Sequence, residues 1–351
     1  MSAPALLRRF PELVHRLPWL NLGEWPTPVR PLERLGAQLG LGALWLKQDD
    51  LSGPRCGGNK VRKLELLLAD ARERGCRSLV SVGGIGSNHL VATACYGRQV
   101  GLPTRGVVFP QPLTPQVEHN LAVLRGLEVE LWPCSSRLWV PLALRQARRG
   151  ADRPYLISPG GSSPLGCLGY VSAGLELAEQ VRGRELPEPE IIILPVGSGG
   201  TCAGLALGLE LGGLSARIWA VRVVERPLCN RTLLGLLIGR TARQLERLEI
   251  AVSPRAAVRR LVLIHDQLGG GYGEATAAAE AAVAAAAREG IGLETTYSGK
   301  AFAALLARAG AVAGRRILFW NTHNSRDLRK FAVAGEDRPL HPRVAQWVRR
   351  G

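Results

Sequence analysis

The sequence predicts an α/β protein built on parallel sheets. Three observations carry the prediction: short apolar runs alternate with helical patterns, polar residues do not interrupt those runs, and Gly/Ser-rich turns follow several of them. Ser78–Val82 precedes a helical stretch from about Asn88 to Val100, and Thr104–Phe109 precedes Thr114–Arg125. Leu127–Leu131 leads to Leu138–Arg149, and Tyr155–Ser158 leads to Leu165–Arg182. Ile191–Val196 leads to Thr201–Leu211, and Arg217–Val224 to a helix near Arg231–Glu246. The Ala-rich stretch Glu274–Arg288 is helical by propensity and ends at Gly290, and Ile317–Trp320 closes the series.

At 351 residues the chain has room for two lobes. No Pro/Ser-rich linker divides it, so a second lobe is expected as an insertion within the first. The 45 basic and 29 acidic side chains give a formal charge of +16. Arginines spread along helices, as at Arg145, Arg148 and Arg149, read as a solvated surface. Without a zinc spacing, an aromatic RNA-binding motif or a basic tail, no nucleic-acid partner is expected. No metal site is expected either. The seven cysteines include no C-x-x-C pair and sit mostly among apolar residues, which fits reduced thiols in a cytoplasm. Met1–Leu13 holds no long apolar run, and no stretch suits a membrane span, so neither a secretory signal nor a membrane partner is expected.

Four stretches at strand–helix junctions carry the chemistry. In Gly57–Gly58–Asn59–Lys60–Val61–Arg62–Lys63, Asn59 is placed as an N-cap, with Val61, Leu64, Leu67, Leu68 and Ala71 buried beyond it. Lys60 then stands at a positive helix terminus beside Arg62 and Lys63, a setting that lowers an amine's pKa and makes it more nucleophilic. Gly83–Gly84–Ile85–Gly86–Ser87–Asn88–His89 offers close backbone approach, a hydroxyl and an amide at a helix start. Gly197–Ser198–Gly199–Gly200–Thr201 follows an apolar strand and opens a helix, which makes an anion cradle. Cys202 stands where a dinucleotide fingerprint needs its third glycine, so the loop suits a phosphate monoester. The fourth pairs Tyr297–Ser298–Gly299–Lys300 with Asn321–Thr322–His323–Asn324.

In this order, GGNKVRKLE, SVGGIGSNH, GGSSPLGCLGY, PVGSGGTCAGLALGLE, GYG at Tyr272, TTYSGKAFAAL and ILFWNT resemble the pyridoxal-phosphate family of D-cysteine desulfhydrase and 1-aminocyclopropane-1-carboxylate deaminase. The resemblance runs from about Leu22 to Phe331. It implies the tryptophan-synthase-β-like fold (fold type II), with a large lobe from 1–62 and 159–351 and a smaller inserted α/β lobe from 63–158. It implies pyridoxal phosphate as cofactor, a small amino acid as substrate and a homodimer.

Residue by residue, the resemblance makes Lys60 the lysine that carries the cofactor and Asn88 the partner of the ring hydroxyl. Gly197, Ser198, Gly199, Gly200, Thr201 and Lys63 would hold the phosphate, and Thr322 would lie near the pyridine nitrogen. Ser87 and Tyr297 would act beside the substrate, and Ser298 is counted with the cofactor contacts. Three places depart from the family pattern. Gly86 replaces a glutamine, which opens space or removes a substrate contact; Ser298 replaces the acid of the cyclopropane deaminases; and Asn321–Thr322–His323–Asn324 stands where the family has His-Thr-Gly-Gly. The implied activity is α-proton removal followed by β-elimination, giving a keto acid and ammonia. Ring opening, β-replacement and racemisation are alternatives on the same scaffold. A phosphate-ligand or RNA-binding module is the non-enzyme alternative.

Overall fold

The computed structural model describes residues 3–333 and 340–350. Ten strands form two sheets: β1 (Val29–Pro31), β2 (Ala43–Gln48), β3 (Ser78–Gly84), β4 (Thr104–Phe109), β5 (Glu130–Pro133), β6 (Pro154–Leu156), β7 (Ile191–Val196), β8 (Arg217–Arg222), β9 (Leu261–Ile264) and β10 (Arg316–Asn321). The six-stranded sheet runs β1-β2-β10-β7-β8-β9 and the four-stranded sheet β5-β4-β3-β6. All pairings are parallel except β1 with β2, an antiparallel edge.

Every residue of β7 is buried, as a central parallel strand with both faces covered requires. Its inner face and β10 pack against helices Pro164–Arg182 and Gly200–Gly212 in one continuous core. The helix Ser298–Arg308 covers the other face through Phe302 and Leu305, with Phe302 edge-on to Phe319. The second sheet has its own core around Leu79, Leu90, Val108 and Leu121. Helix Val61–Glu73 joins the two cores: Val61, Leu64, Leu67, Leu68 and Ala71 face the second, and Leu66 faces the first. Leu328 and Val344, late in the chain, also pack into the second core.

Several expected elements shift. The run Leu127–Leu131 begins as a turn with Glu128 at φ 61°, so the strand starts at Glu130. The Ala-rich helix is Ala277–Arg288, capped by the Thr276 hydroxyl accepting from the Ala279 amide. All seven cysteines are free thiols; Cys76 is half-buried and the rest are buried. Among the described residues no helix is long and apolar enough to cross a membrane.

Candidate active site

The turns after β2, β3, β7 and β10 meet at the carboxyl ends of their strands, the edge where parallel α/β sheets bind ligands. Between the two sheets they enclose a cleft of about 440 Å³.

One end is the cradle after β7. Gly199 has φ 88°, a left-handed conformation that turns the chain into helix Gly200–Gly212 with its first amides toward the cleft. A Cβ on Gly200 would come within 2.5 Å of Ser162 Oγ and 3.0 Å of Lys63 Nζ, so only glycine lets these groups close around a ligand. The Gly200 amide donates to Ser162 Oγ, which lies 2.7 Å from Ser198 Oγ. Lys63 is buried, donates to the Gly160 carbonyl at 3.0 Å, and has no carboxylate partner among the described residues. Burial pushes its amine down to about 8.

Lys60 borders the same cleft. Its Nζ donates to Asn59 Oδ1 at 2.6 Å, while Asn59 Nδ2 donates to Thr201 Oγ1 at 2.9 Å. Lys60 is thereby tied to the cradle through two side chains. Burial, and then the charge of Lys63, brings its amine down to about 7. Two expectations change here. Asn59 does not cap the helix: Lys60 itself is the residue before Val61–Glu73, and the Asn59 amide is spent on Lys60 and Thr201. Arg62 does not repel Lys60, because its guanidinium turns away into a buried network with Asp49 and Glu176.

From the second sheet, Ser87 and Asn88 line the cleft. Ser87 caps helix Asn88–Gln99, accepting from the Leu90 amide at 3.3 Å, which leaves its hydroxyl hydrogen free to donate. Asn88 Oδ1 accepts from Asn120 Nδ2 at 2.7 Å, which leaves the Asn88 NH2 for a ligand. Gly86 does not open space. A Cβ there would meet Val117 Cα at 2.6 Å, so the helix Pro115–Gly126 already fills the position.

Tyr297 stands across the cleft, its hydroxyl donating to Tyr272 Oη at 2.9 Å. Burial holds the Tyr297 phenol well above its ordinary pKa, so it keeps its proton. Ser298 does not line the cleft; it is fully buried and serves Glu294. The Glu294 carboxylate accepts from the amides of Thr296, Tyr297 and Ser298 at 2.8–2.9 Å and from Ser298 Oγ at 3.2 Å. The turn that presents Tyr297 is therefore built on Glu294, which itself borders the cleft. Thr322 and His323 complete the wall after β10. Burial lowers the His323 pKa, so its ring is neutral, and its Nδ1 has no hydrogen-bond partner among the described residues.

The structure thus brings together Lys60, Lys63, Ser87, Asn88, Gly197, Ser198, Gly199, Gly200, Thr201, Tyr297 and Thr322, and leaves Ser298 outside. Sequence reasoning missed Glu294 and Arg137 as cleft residues, named His323 only within the fourth stretch and as a departure, and gave Asn59 and Ser162 no role there. Ser162 lies in a quoted motif, GGSSPLG, and was the one within reach; Arg137 and Glu294 carry no pattern.

One buried and one half-buried amine without acids in bonding distance among the described residues, three hydroxyls and a helix N-terminus suit a phosphorylated, carbonyl-bearing ligand. These residues fit pyridoxal phosphate: Ser198, Gly199, Gly200, Thr201 and Lys63 would hold its phosphate, and Lys60 would meet its aldehyde. The family comparison agrees: residues 20–323 match the model described as pyridoxal-phosphate dependent enzyme, and the chain belongs to that family. It is 34% identical over 323 residues to nocardicin C-9′ epimerase of Nocardia uniformis subsp. tsuyamanensis, covering 89% of this chain and 94% of the relative. It is 33% identical over 309 residues to D-cysteine desulfhydrase of Salmonella paratyphi B, covering 83% and 88%. A crystal structure of a homologue of ACC deaminase superimposes with a TM-score of 0.76 at 30% identity, covering 92% of this chain and 95% of that one. The two-lobed fold type II architecture implied by the motifs is the one present.

Proposed function

We propose that this chain is a lyase that removes the α-proton of a small amino acid and expels its β-substituent, releasing a keto acid and ammonia. Pyridoxal phosphate supplies the electron sink that makes such a proton removable. The observation that carries the reading is Lys60: a half-buried amine on the cleft wall, brought down to about 7 and tethered to the cradle through Asn59 and Thr201. Near neutral pH its Nζ is free to take a proton. Lys60 and Tyr297 act on the reacting atoms, Ser87 and Asn88 orient the ligand, and the Tyr297 hydroxyl, kept protonated, turns from Tyr272 to donate. The relative named D-cysteine desulfhydrase supports β-elimination.

Ring opening of a cyclopropane amino acid is the reading that the ACC deaminase homologue raises. Ser298 offers no acid for it, and the carboxylate that does border the cleft, Glu294, is not a free one. Glu294 accepts four hydrogen bonds from its own turn, which commits it to holding Tyr297. Epimerisation, named in the Nocardia relative, would use Lys60 and Tyr297 without loss of a β-group. Pyruvate and ammonia release separates these. D-cysteine and β-chloro-D-alanine should be turned over faster than their L forms, and the cyclopropane compound little; faster turnover of the cyclopropane compound would overturn the proposal.

We further propose the division into 1–62 with 159–351 and an inserted 63–158, supported by β3–β6 forming a separate sheet. A cytoplasmic homodimer is proposed as well. The free thiols support the compartment, and exposed Leu233 and Leu236 leave an apolar face for a second copy.

A further inference from the structure

Part of the cleft lining is apolar and lies outside the groups described above. A Cβ on Gly197 would touch both Tyr297 and Val224, and the Tyr297 hydroxyl meets Tyr272, so Val224 and Tyr272 both adjoin Tyr297. There the wall consists of Phe109, Arg137 and Val140 from the second sheet's side and Val224, Leu228 and Tyr272 from the first. The Phe109 and Tyr272 rings lie 6.2 Å apart, and the Arg137 guanidinium sits 5.5 and 5.3 Å from their centroids. Leu228 is 52% exposed although it lines the cleft. The apolar surface extends outward in the turn after Arg137, where Leu138 and Trp139 are 87% and 60% exposed.

A substrate no larger than cysteine leaves this wall with nothing to cover it, and open apolar surface beside a site marks a place where a ligand is covered. The charge of the wall narrows the ligand further. Arg137 does not offer a free cation: both of its terminal nitrogens bond the Glu225 carboxylate, at 2.5 and 2.9 Å, across the cleft. An anionic tail would have to displace Glu225, whereas an aryl ring or alkyl chain could lie against Phe109, Val140 and Leu228 with that pair intact.

We infer that this apolar part of the cleft is a subsite for an uncharged aryl or alkyl group joined through sulfur to the substrate's β-carbon, so that the chain acts on S-substituted cysteines in preference to small ones. The inference rests on the β-elimination reading above. The α-proton is removed and the Cβ–S bond breaks with its electron pair passing to sulfur. Sulfur takes a proton and leaves as the thiol, and water converts the remaining fragment to pyruvate and ammonium. No oxidant or reductant is needed.

The test compares S-benzyl-, S-methyl- and S-carboxymethylcysteine, each as D and L forms, on the holoenzyme. Binding is read from the change in the bound cofactor's absorbance, and turnover from pyruvate. S-benzylcysteine should half-saturate at a concentration about tenfold or more below the other two, the effect of covering one aromatic side chain. Leu228→Asp, at a half-exposed position that tolerates a charge, should bring the benzyl-to-methyl ratio about tenfold toward unity. Equal or weaker binding of the benzyl compound, or a ratio unmoved by Leu228→Asp, would overturn the inference. Pyruvate from S-methylcysteine but none from S-benzylcysteine would overturn it while leaving the elimination reading intact. Pyruvate from none of these, nor from cysteine or β-chloroalanine, would overturn both.

Discussion

Three cations of one segment meet opposite fates. Arg62 enters a buried network in which it bonds Asp49 and Glu176, each through two contacts, with Trp25 4.0 Å from its guanidinium and Lys47 bonded to the same Glu176. Lys60, half-buried two residues before it, and Lys63, buried one residue after, each have no acid in bonding distance among the described residues. The contrast separates structural charge from functional charge. A buried cation whose partners are built in holds the fold together, while one left without a partner is held ready for a ligand.

The comparison can be broken most forcefully at Arg62. Arg62→Met leaves Asp49 buried without its cation and Glu176 with Lys47 alone, and should cost about 3–5 kcal/mol of stability, read from denaturant unfolding of the cofactor-free protein. Lys63→Met in the same assay should cost nothing or stabilise, because it removes a buried charge that nothing balances. A loss at Lys63 as large as at Arg62 would erase the distinction.

Thr201→Ala has a smaller effect confined to the cradle. It removes a hydroxyl that accepts from Asn59 and can donate to a phosphate, at a cost of about 1.5–3 kcal/mol in cofactor binding. That is about a ten- to hundredfold weaker affinity in a cofactor titration, with the fold intact. Unchanged affinity would place the phosphate elsewhere.

The effect spread most widely over conditions is a pH slope. The folded-state pKa of Lys60 is brought from 10.5 down to about 7, so between those values the unfolded chain binds a proton that the folded chain does not. Stability of the cofactor-free protein should therefore rise with pH across about 7–10.5, by at most about 1.4 kcal/mol per pH unit per proton, and the penalty is fully present below about 7. Lys63 adds a similar rise across about 8–10.5. Lys60→Met should flatten its share, and an identical slope in wild type and variant would contradict the depressed value.

What the sequence made legible follows from what pattern can encode. The apolar runs of β3, β4, β7, β8 and β10 are long or uniform enough to read, and the Gly/Ser turns after β3 and β7 announce themselves because close approach needs glycine. Strand β2 escaped because Lys47 interrupts its apolar run; the acid that accommodates that charge, Glu176, lies on helix Pro164–Arg182. Strands β1 and β9 were too short to show a period. Within the site, Lys60 and the cradle were legible as local motifs. Glu294 was not, because its role is to bond a turn three residues further on. Arg137 was not, because only tertiary packing brings it to Glu225, 88 residues away.

The most direct test of the central claim is where the cofactor attaches. Holoenzyme reduced with borohydride and mapped by peptide mass should carry the adduct on Lys60, and Lys60→Ala should lose it while retaining the fold. An adduct on Lys63 or Lys300, or an undiminished adduct in Lys60→Ala, would contradict the account.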